Sequence, residues 1–441
     1  MGIRCEEKKH LSAKGMLREV RLFFKNISQP NKKGAGKLPL ISLVDCLMSG
    51  LAAFGLKFPS LLQFDLAATE EVIRHNLKSL YGIEKAPCDT QMRERLDMVH
   101  PSQIRGVFKK IFSLIQRGKA LDRYRFIDDH YLLLADGTGY FSSQTVHCEK
   151  CCVKEHRNGS KTYYHQMLGA AIVHPDYKEV IPLCPEPIMK EDGAKKNDCE
   201  RNASKRLLLD IRREHPHLPF ILAEDALASN GPHLRLCKEL NIRFITVVKP
   251  DGNKILFEWL HGIRKEIHEF VDEEGHQHRM EFYNGIPLND VDPNLKVNFV
   301  EYWEFLSDGA KKYHSTWVTD IILTKNNVFS IVRGGRARWK VENETFNTLK
   351  NQGYKFEHNY GHGNNHLSTI FAMLMMLAFL IDQVQQMCCG LFDAARKRYH
   401  AKIVLWEKLR NVFSMFKLES WAATYESLAG GIKGELVLDS S

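Results

Sequence analysis

No stretch of this 441-residue chain is apolar for long enough to read as a membrane span. The most lipid-like run, LSTIFAMLMMLAFLI from Leu367 to Ile381, covers about fifteen residues, short of the roughly 18–20 that a spanning helix needs. It reads as a buried core helix. The first residues are charged and hold no apolar segment of secretory type, so export is not expected and a cytoplasmic location is. In that setting the eleven cysteines, with the adjacent pairs Cys151-Cys152 and Cys388-Cys389, suit reduced thiols better than a disulfide framework. No internal repeat occurs, which argues against solenoids and propellers, and no low-complexity tract occurs either. What is present is the composition of an ordinary globular protein, 44% hydrophobic and 26% charged. A chain of 441 residues exceeds the usual single core, so two or three domains are expected.

The net charge, 62 − 53 = +9, is moderate but unevenly spread. Lys8, Lys9, Lys14, Arg18, Arg21 and Lys25 load the N-terminal segment, followed by Lys32, Lys33 and Lys37. Arg396, Lys397, Arg398, Lys402, Lys408 and Arg410 load the C-terminal one. Clustered positive charge favours a polyanionic partner, because neutralised phosphates release counterions. A solvated surface explains either cluster taken alone.

Three segments follow from the pattern along the chain. Residues 1–121 read as a basic helical domain that begins with an arm, Gln29-Pro-Asn-Lys-Lys-Gly-Ala-Gly. Within it one helix ends at Gly82, and another opens near Asp89 with Arg93 and Arg95 in its first turns. Helix, turn and basic helix fit a DNA-reading unit, and they fit plain helical packing as well. Residues 122–385 change character. Strand-like runs at Tyr131–Ala135, Tyr163–Val173 and Glu179–Leu183 precede a charged helix near Cys199–Glu214. Strand and helix then alternate through Phe220–Ala223, Pro232–Leu240 and Arg243–Val248. This order predicts an α/β fold with a mixed sheet of ribonuclease-H type, interrupted at about 250–332 by a β-rich insertion. Residues 386–441 read as a helical tail for dimerisation or DNA contacts.

Three carboxylates stand out in the middle segment. Asp136 closes the run Tyr-Leu-Leu-Leu-Ala, and Asp225 closes Phe-Ile-Leu-Ala-Glu. Glu342 lies in a helical stretch, Arg338-Trp-Lys-Val-Glu342-Asn-Glu-Thr-Phe-Asn-Thr-Leu-Lys350. Any one of them is ordinarily a turn, cap or surface residue. Together they form the oxygen-rich set that two divalent cations require for phosphodiester chemistry. Glu344 is the rival third member, but two residues is about 200° around a helix, so both cannot face the same ions. Glu342 keeps Phe346 on its own face and is preferred.

On these residues the chain resembles the DDE transposases of bacterial insertion sequences. It resembles the branch with a β-rich insertion before the last carboxylate and a Tyr-Arg-Glu-Lys pattern around it. The likeness covers roughly residues 125–385. It implies that Asp136, Asp225 and Glu342 are catalytic and hold two Mg²⁺ or Mn²⁺ ions. It implies that Arg338 and Lys350 touch DNA phosphates near the cut. It also implies terminal inverted repeats and target DNA as partners, and a homodimer that pairs the two ends. Arg338 has the family's spacing, whereas Lys350 is displaced by one position and Gly335 replaces the tyrosine. A related nuclease and a domesticated, inactive DNA-binding protein are the alternatives.

Other residues invite chemistry. Cys148, Cys151, Cys152 and His156, with His165 further on, offer soft ligands at a zinc-like spacing, with packed reduced thiols as the plainer reading. Trp303 and Trp317 fall in the insertion, where the resemblance implies an aromatic that stacks on an extruded base; core packing is the alternative for each. The stretch His358–His366 is rich in Gly and Asn and reads as a loop before the apolar helix, not as a metal site. A zinc-dependent interaction module is the weakest of the overall readings.

Overall fold

The computed structural model describes residues 10–28, 41–190 and 198–430. Lys8, Lys9 and the arm with Lys32, Lys33 and Lys37 lie outside them. Helices come first: α1 (Ala13–Phe24), α2 (Leu43–Gly55), α3 (Leu61–Ala67), α4 (Glu71–Tyr81), α5 (Asp89–Asp97) and α6 (Pro101–Arg117). Their starts follow from side chains that accept the orphan N–H groups of a first turn. Ser12 accepts from Gly15 and Ser42 from Asp45, while His100 and Gln103 form a capping box ahead of Pro101. Gly82 ends α4 in the left-handed conformation, φ +70°, as its position after the apolar spacing predicts.

The sheet follows, with β1 (Tyr131–Ser143), β2 (Cys152–Glu155), β3 (Lys161–Val173), β4 (Ile181–Pro182) and β5 (Glu186–Ile188). Helix α7 (Glu200–Glu214) leads to β6 (Phe220–Glu224), and α8 (Gly231–Glu239) leads to β7 (Ile242–Val247). After α9 (Lys254–Leu260) come β8 (Glu266–Val271), β9 (Gln277–Pro287), β10 (Lys296–Phe305) and β11 (Lys311–Thr319). Among the described residues these form one mixed sheet of eleven strands, ordered β2-β3-β1-β6-β7-β11-β10-β9-β8, with β4 and β5 on β3. Strand β1 runs antiparallel to β3 and parallel to β6, and β6 runs parallel to β7. The β-rich segment does not stand apart. Trp317 of β11 pairs with Val247 of β7, so four antiparallel strands prolong the same sheet. All five residues of β6 are buried, as expected of a central strand covered on both faces.

The chain closes with α10 (Val328–Arg336), a π-helical turn at Val341–Phe346, α11 (Asn347–Asn351), α12 (Leu367–Cys388), α13 (Gly390–Arg398), α14 (Lys402–Met415) and α15 (Trp421–Gly430). Helix α12 has 22 residues, seven more than the apolar run suggests, and is long and apolar enough to cross a membrane. Its apolar window is 89% buried inside the protein. It is the helix around which the others pack, with α2, α5, α6, α13 and β4 against it. Each of its buried Leu, Ile, Phe and Met side chains contributes roughly 1.5–3 kcal/mol. The polar extension is paired as well: Asp382 binds Lys57 and Tyr354, Gln383 accepts from Val180, and Gln385 accepts from Tyr425. The C-terminal helices return to the N-terminal ones. Asn76 of α4 donates to the carbonyls of Phe413 and Phe416, 2.7 Å each, and accepts from Leu418 N–H.

Candidate active site

Parallel pairing sets the first two carboxylates side by side. Leu134 of β1 is in register with Ala223 of β6, so two residues further on Asp136 stands level with Asp225. The β1–β6 ladder stops just before, at Leu134 and Ala223; β6 ends at Glu224, whereas β1 runs on beside β3 to Ser143, so Asp136 lies within its strand and not at its end as the sequence suggests. Adjacent strands lie about 4.8 Å apart, which keeps both side chains within reach of one ion pair. Glu224, one residue earlier, is buried and bound to His233 of α8, which leaves Asp225 as the candidate.

The third carboxylate arrives on the π-helical turn. Gly169 of β3 is the partner of Asp136, and a Cβ there would come within 2.8 Å of the Phe346 ring. Phe346 therefore seats its turn directly on the strand beside Asp136. The wide turn, with Asn347 N–H bonded back to Glu342, is the type of irregularity often found at functional sites. Glu342 is exposed, and after burial and Asp225 it adds to the upward push on the Asp136 carboxyl. Glu344 acts instead on Lys340 and Lys402, on the other side of the turn. Glu342 and Glu344 thus diverge.

A fourth carboxylate, which the sequence reading passed over, joins them. Glu200 is the first residue of α7, and a Cβ on Gly137 would come within 2.2 Å of its Oε1. Its carboxyl is pushed up by desolvation and then by Asp136 and Asp225. An acidic residue in a first helical turn ordinarily just complements the helix dipole, so the sequence held only a weak signal for it.

The carboxylates repel one another. Desolvation pushes the Asp136 carboxyl above its ordinary value; the Gly137 N–H and Arg338 oppose this, and Asp225 and Glu342 add to it. Asp136 Oδ1 accepts from Gly137 N–H at 2.8 Å, and Oδ2 accepts from Arg338 Nη1 at 3.3 Å. Asp225 Oδ1 caps the next turn through Leu227 N–H at 2.9 Å. The donors are all oxygen, as Mg²⁺ prefers, and the four charges exceed the single Arg338 among them. A carboxyl with a raised folded-state pKa withdraws stability as pH climbs from the ordinary carboxylate value through the raised one. A divalent ion would displace that proton and reverse the loss. Mg²⁺ is therefore expected to raise the melting temperature increasingly from acid to neutral pH, and less so for Asp136→Asn. Calorimetry with and without MgCl₂ checks this; equal shifts in both proteins would count against the site.

The remaining candidates are spread out. Arg338 is largely buried, paired with Asp136 and close to the Trp339 ring. Lys350 pairs with Glu357 at 2.8 Å. Gly335 is explained by packing, since a Cβ there would lie 2.5 Å from the Trp317 indole nitrogen. That contact also makes Trp317 a core residue, 1% exposed, and removes it as a base-stacking candidate. Trp303 is half-buried and stacks on His314. Arg93 bonds Asp89 within α5, and Arg95 donates to the Ile41 carbonyl. In the C-terminal basic cluster, Arg396, Arg398 and Arg410 donate to backbone carbonyls and Lys397 pairs with Asp393. Those four serve the fold.

The cysteine reading needs correction. Cys148 and Cys151 do lie together, but with His165 and His362, not with Cys152 and His156. Neighbours on a strand point to opposite faces, so Cys152 turns away and its thiol meets the Ile188 carbonyl. His156 sits at the β2–β3 hairpin and bonds Thr162 at 2.8 Å. His362, set aside as a loop residue, is one of the converging four.

A cavity of about 420 Å³ lies elsewhere, between Arg105, Glu186, Asp198, Arg206 and Met373. The four carboxylates do not line it. Compared with protein-family models and with curated proteins, the chain matches none of them.

Proposed function

We propose that this protein is a DDE-type DNA transposase that cuts at the ends of a mobile element and joins them to target DNA. The observation that carries the reading is Asp136 and Asp225, each two residues beyond the last paired residues of the parallel neighbours β1 and β6, with Glu342 near enough to act on Asp136. The order of the central strands supports a ribonuclease-H-like reading of this region: a first long strand with an antiparallel partner on one side and two parallel strands on the other. Asp136 and Asp225 would hold two Mg²⁺ or Mn²⁺ ions, with Glu342 completing one coordination sphere and Glu200 a reserve ligand. Such ions supply activation of an attacking oxygen and stabilisation of the leaving one. Arg338, paired with Asp136 at 3.3 Å, would transfer to a phosphate when DNA arrives. Lys350, Trp303, Arg93 and Arg95 are proposed DNA contacts, and pairing of two ends calls for a homodimer.

A related nuclease would share the carboxylates but not the joining step. The two part in a strand-transfer assay with full-length protein, Mg²⁺, a plasmid target and a duplex bearing the inverted repeats that flank the gene. A labelled 3′-hydroxyl end is expected to become covalently joined to the plasmid. Cleavage without joined product would leave the nuclease reading in its place.

A further inference from the structure

We propose that Cys148, Cys151, His165 and His362 form a structural zinc site that fastens the strands of the candidate active site to the helical layer. The geometry points to this independently of any catalytic reading. Zinc–sulfur bonds of about 2.3 Å and zinc–nitrogen bonds of about 2.0–2.1 Å, set tetrahedrally, give ligand edges of about 3.8 Å for S···S and about 3.5 Å for S···N. The two sulfurs here are 3.8 Å apart. His165 Nε2 lies 3.5 Å from Cys148 Sγ and 3.4 Å from Cys151 Sγ, and His362 Nε2 lies 3.4 Å from Cys151 Sγ. All four ligand atoms fall within 4.8 Å of one another. Four of the six edges are those of a tetrahedron around one small ion, and the remaining two, from His362 to Cys148 and to His165, are within 4.8 Å.

Burial adds a second argument. Cys151 and His165 are 1% and 2% exposed, and His362 is 9% exposed. Both imidazoles turn Nε2 inward while their Nδ1 atoms are buried without a hydrogen-bond partner. Nε2 is therefore the nitrogen that each ring presents to the buried thiols. Two thiolates and two neutral imidazoles select zinc over magnesium or calcium. Four protein ligands leave no open position, which marks a structural site and not a catalytic one.

The placement gives the ion a task. Cys148 and Cys151 belong to the loop that follows β1, the strand of Asp136. His165 lies on β3, four residues before Gly169 and on the same face. His362 lies between α11 and α12, on the segment that follows the Glu342 turn. The same segment is held by Asp97, which accepts the backbone N–H groups of Asn364, Asn365, His366 and Leu367 at 3.0–3.1 Å. Zinc would thus tie the chain after Glu342 to both strands on which its turn rests.

The test is elemental analysis of the full-length protein purified without added metal. About one zinc per chain is expected, retained by Cys152→Ser, His156→Ala and Asp136→Asn and lost from Cys151→Ser and His362→Ala. Should the last two fail to fold, cobalt loading of the wild type decides. Intense visible bands of a tetrahedral ion with a thiolate charge-transfer band support the site; weak octahedral bands overturn it. A well-folded wild type without zinc, a Cys148–Cys151 disulfide in its place, or zinc that survives both ligand substitutions would also overturn it.

Discussion

Asp136→Asn is expected to lower Mg²⁺-dependent DNA cleavage by about a thousandfold or more, without lowering the melting temperature at neutral pH. A metal ligand at a phosphoryl centre supplies several kcal/mol of charge stabilisation, and a thousandfold corresponds to about 4 kcal/mol. The stability half of the prediction follows from the raised Asp136 carboxyl, whose charged form the fold disfavours. Removing that charge relieves its repulsion with Asp225, Glu342 and Glu200, at the cost of a single long contact with Arg338. Activity and stability should therefore move apart, as they do where a site is built for function at the expense of the fold. Asp225→Asn should match the loss, and Glu342→Gln should approach it. Glu344→Gln, on the far side of the turn, should stay near wild type. Single-turnover cleavage of a labelled duplex, beside calorimetry of each variant, reads both quantities. Cleavage retained by Asp136→Asn would remove that residue from the site.

The second large effect is steric. Gly169→Val should reduce cleavage by about a hundredfold while binding of DNA persists. Valine suits a strand, but its Cβ would meet the Phe346 ring at 2.8 Å and push back the turn that carries Glu342. A displacement of about 1 Å at a catalytic group costs on the order of a hundredfold. Overpacking should cost about 1–3 kcal/mol of stability in addition. Shortening the ring partner should restore room, so Gly169→Val with Phe346→Ala is expected to recover part of the lost rate. Cleavage rates of the two single variants and the double variant form the cycle. A Gly169→Val protein with full activity would show that the seat of Phe346 does not position Glu342.

Much of this arrangement was legible in local sequence. Asp136 and Asp225 each close an apolar run, but only Asp225 follows the end of its strand; β1 continues past Asp136 to Ser143, because its pairing with β3 outlasts its apolar run. The preference for Glu342 rests on α-helical spacing, whereas the turn is π-helical, with Glu342 exposed and Phe346 buried against Gly169. What escaped depended on distant partners. His362 is 211 residues from Cys151, and its Gly- and Asn-rich surroundings look like any loop. Cys152 and His156 were attractive through proximity in sequence, which strand alternation and a hairpin turn undo. Helix α12 outran its apolar run because Asp382, Gln383 and Gln385 find buried partners on other elements. The β-rich segment announced its strands by alternation, but nothing local said that β11 would pair with β7. Gly335, a departure from the resembling family, makes sense only once Trp317 lies against it.

The most direct measurement of metal-dependent phosphodiester chemistry at these carboxylates is a sulfur substitution in the DNA. A single non-bridging oxygen of the scissile phosphate is replaced by sulfur, and single-turnover cleavage is compared in Mg²⁺ and in Mn²⁺. Mg²⁺ is a hard ion that binds oxygen, whereas Mn²⁺ tolerates softer ligands. Cleavage of the sulfur-bearing strand is expected to collapse in Mg²⁺ and to recover in Mn²⁺ with wild-type protein, with no recovery in Asp136→Asn. Cleavage that proceeds equally in both metals, or that needs neither, would contradict a metal held by Asp136, Asp225 and Glu342 at the reacting phosphate.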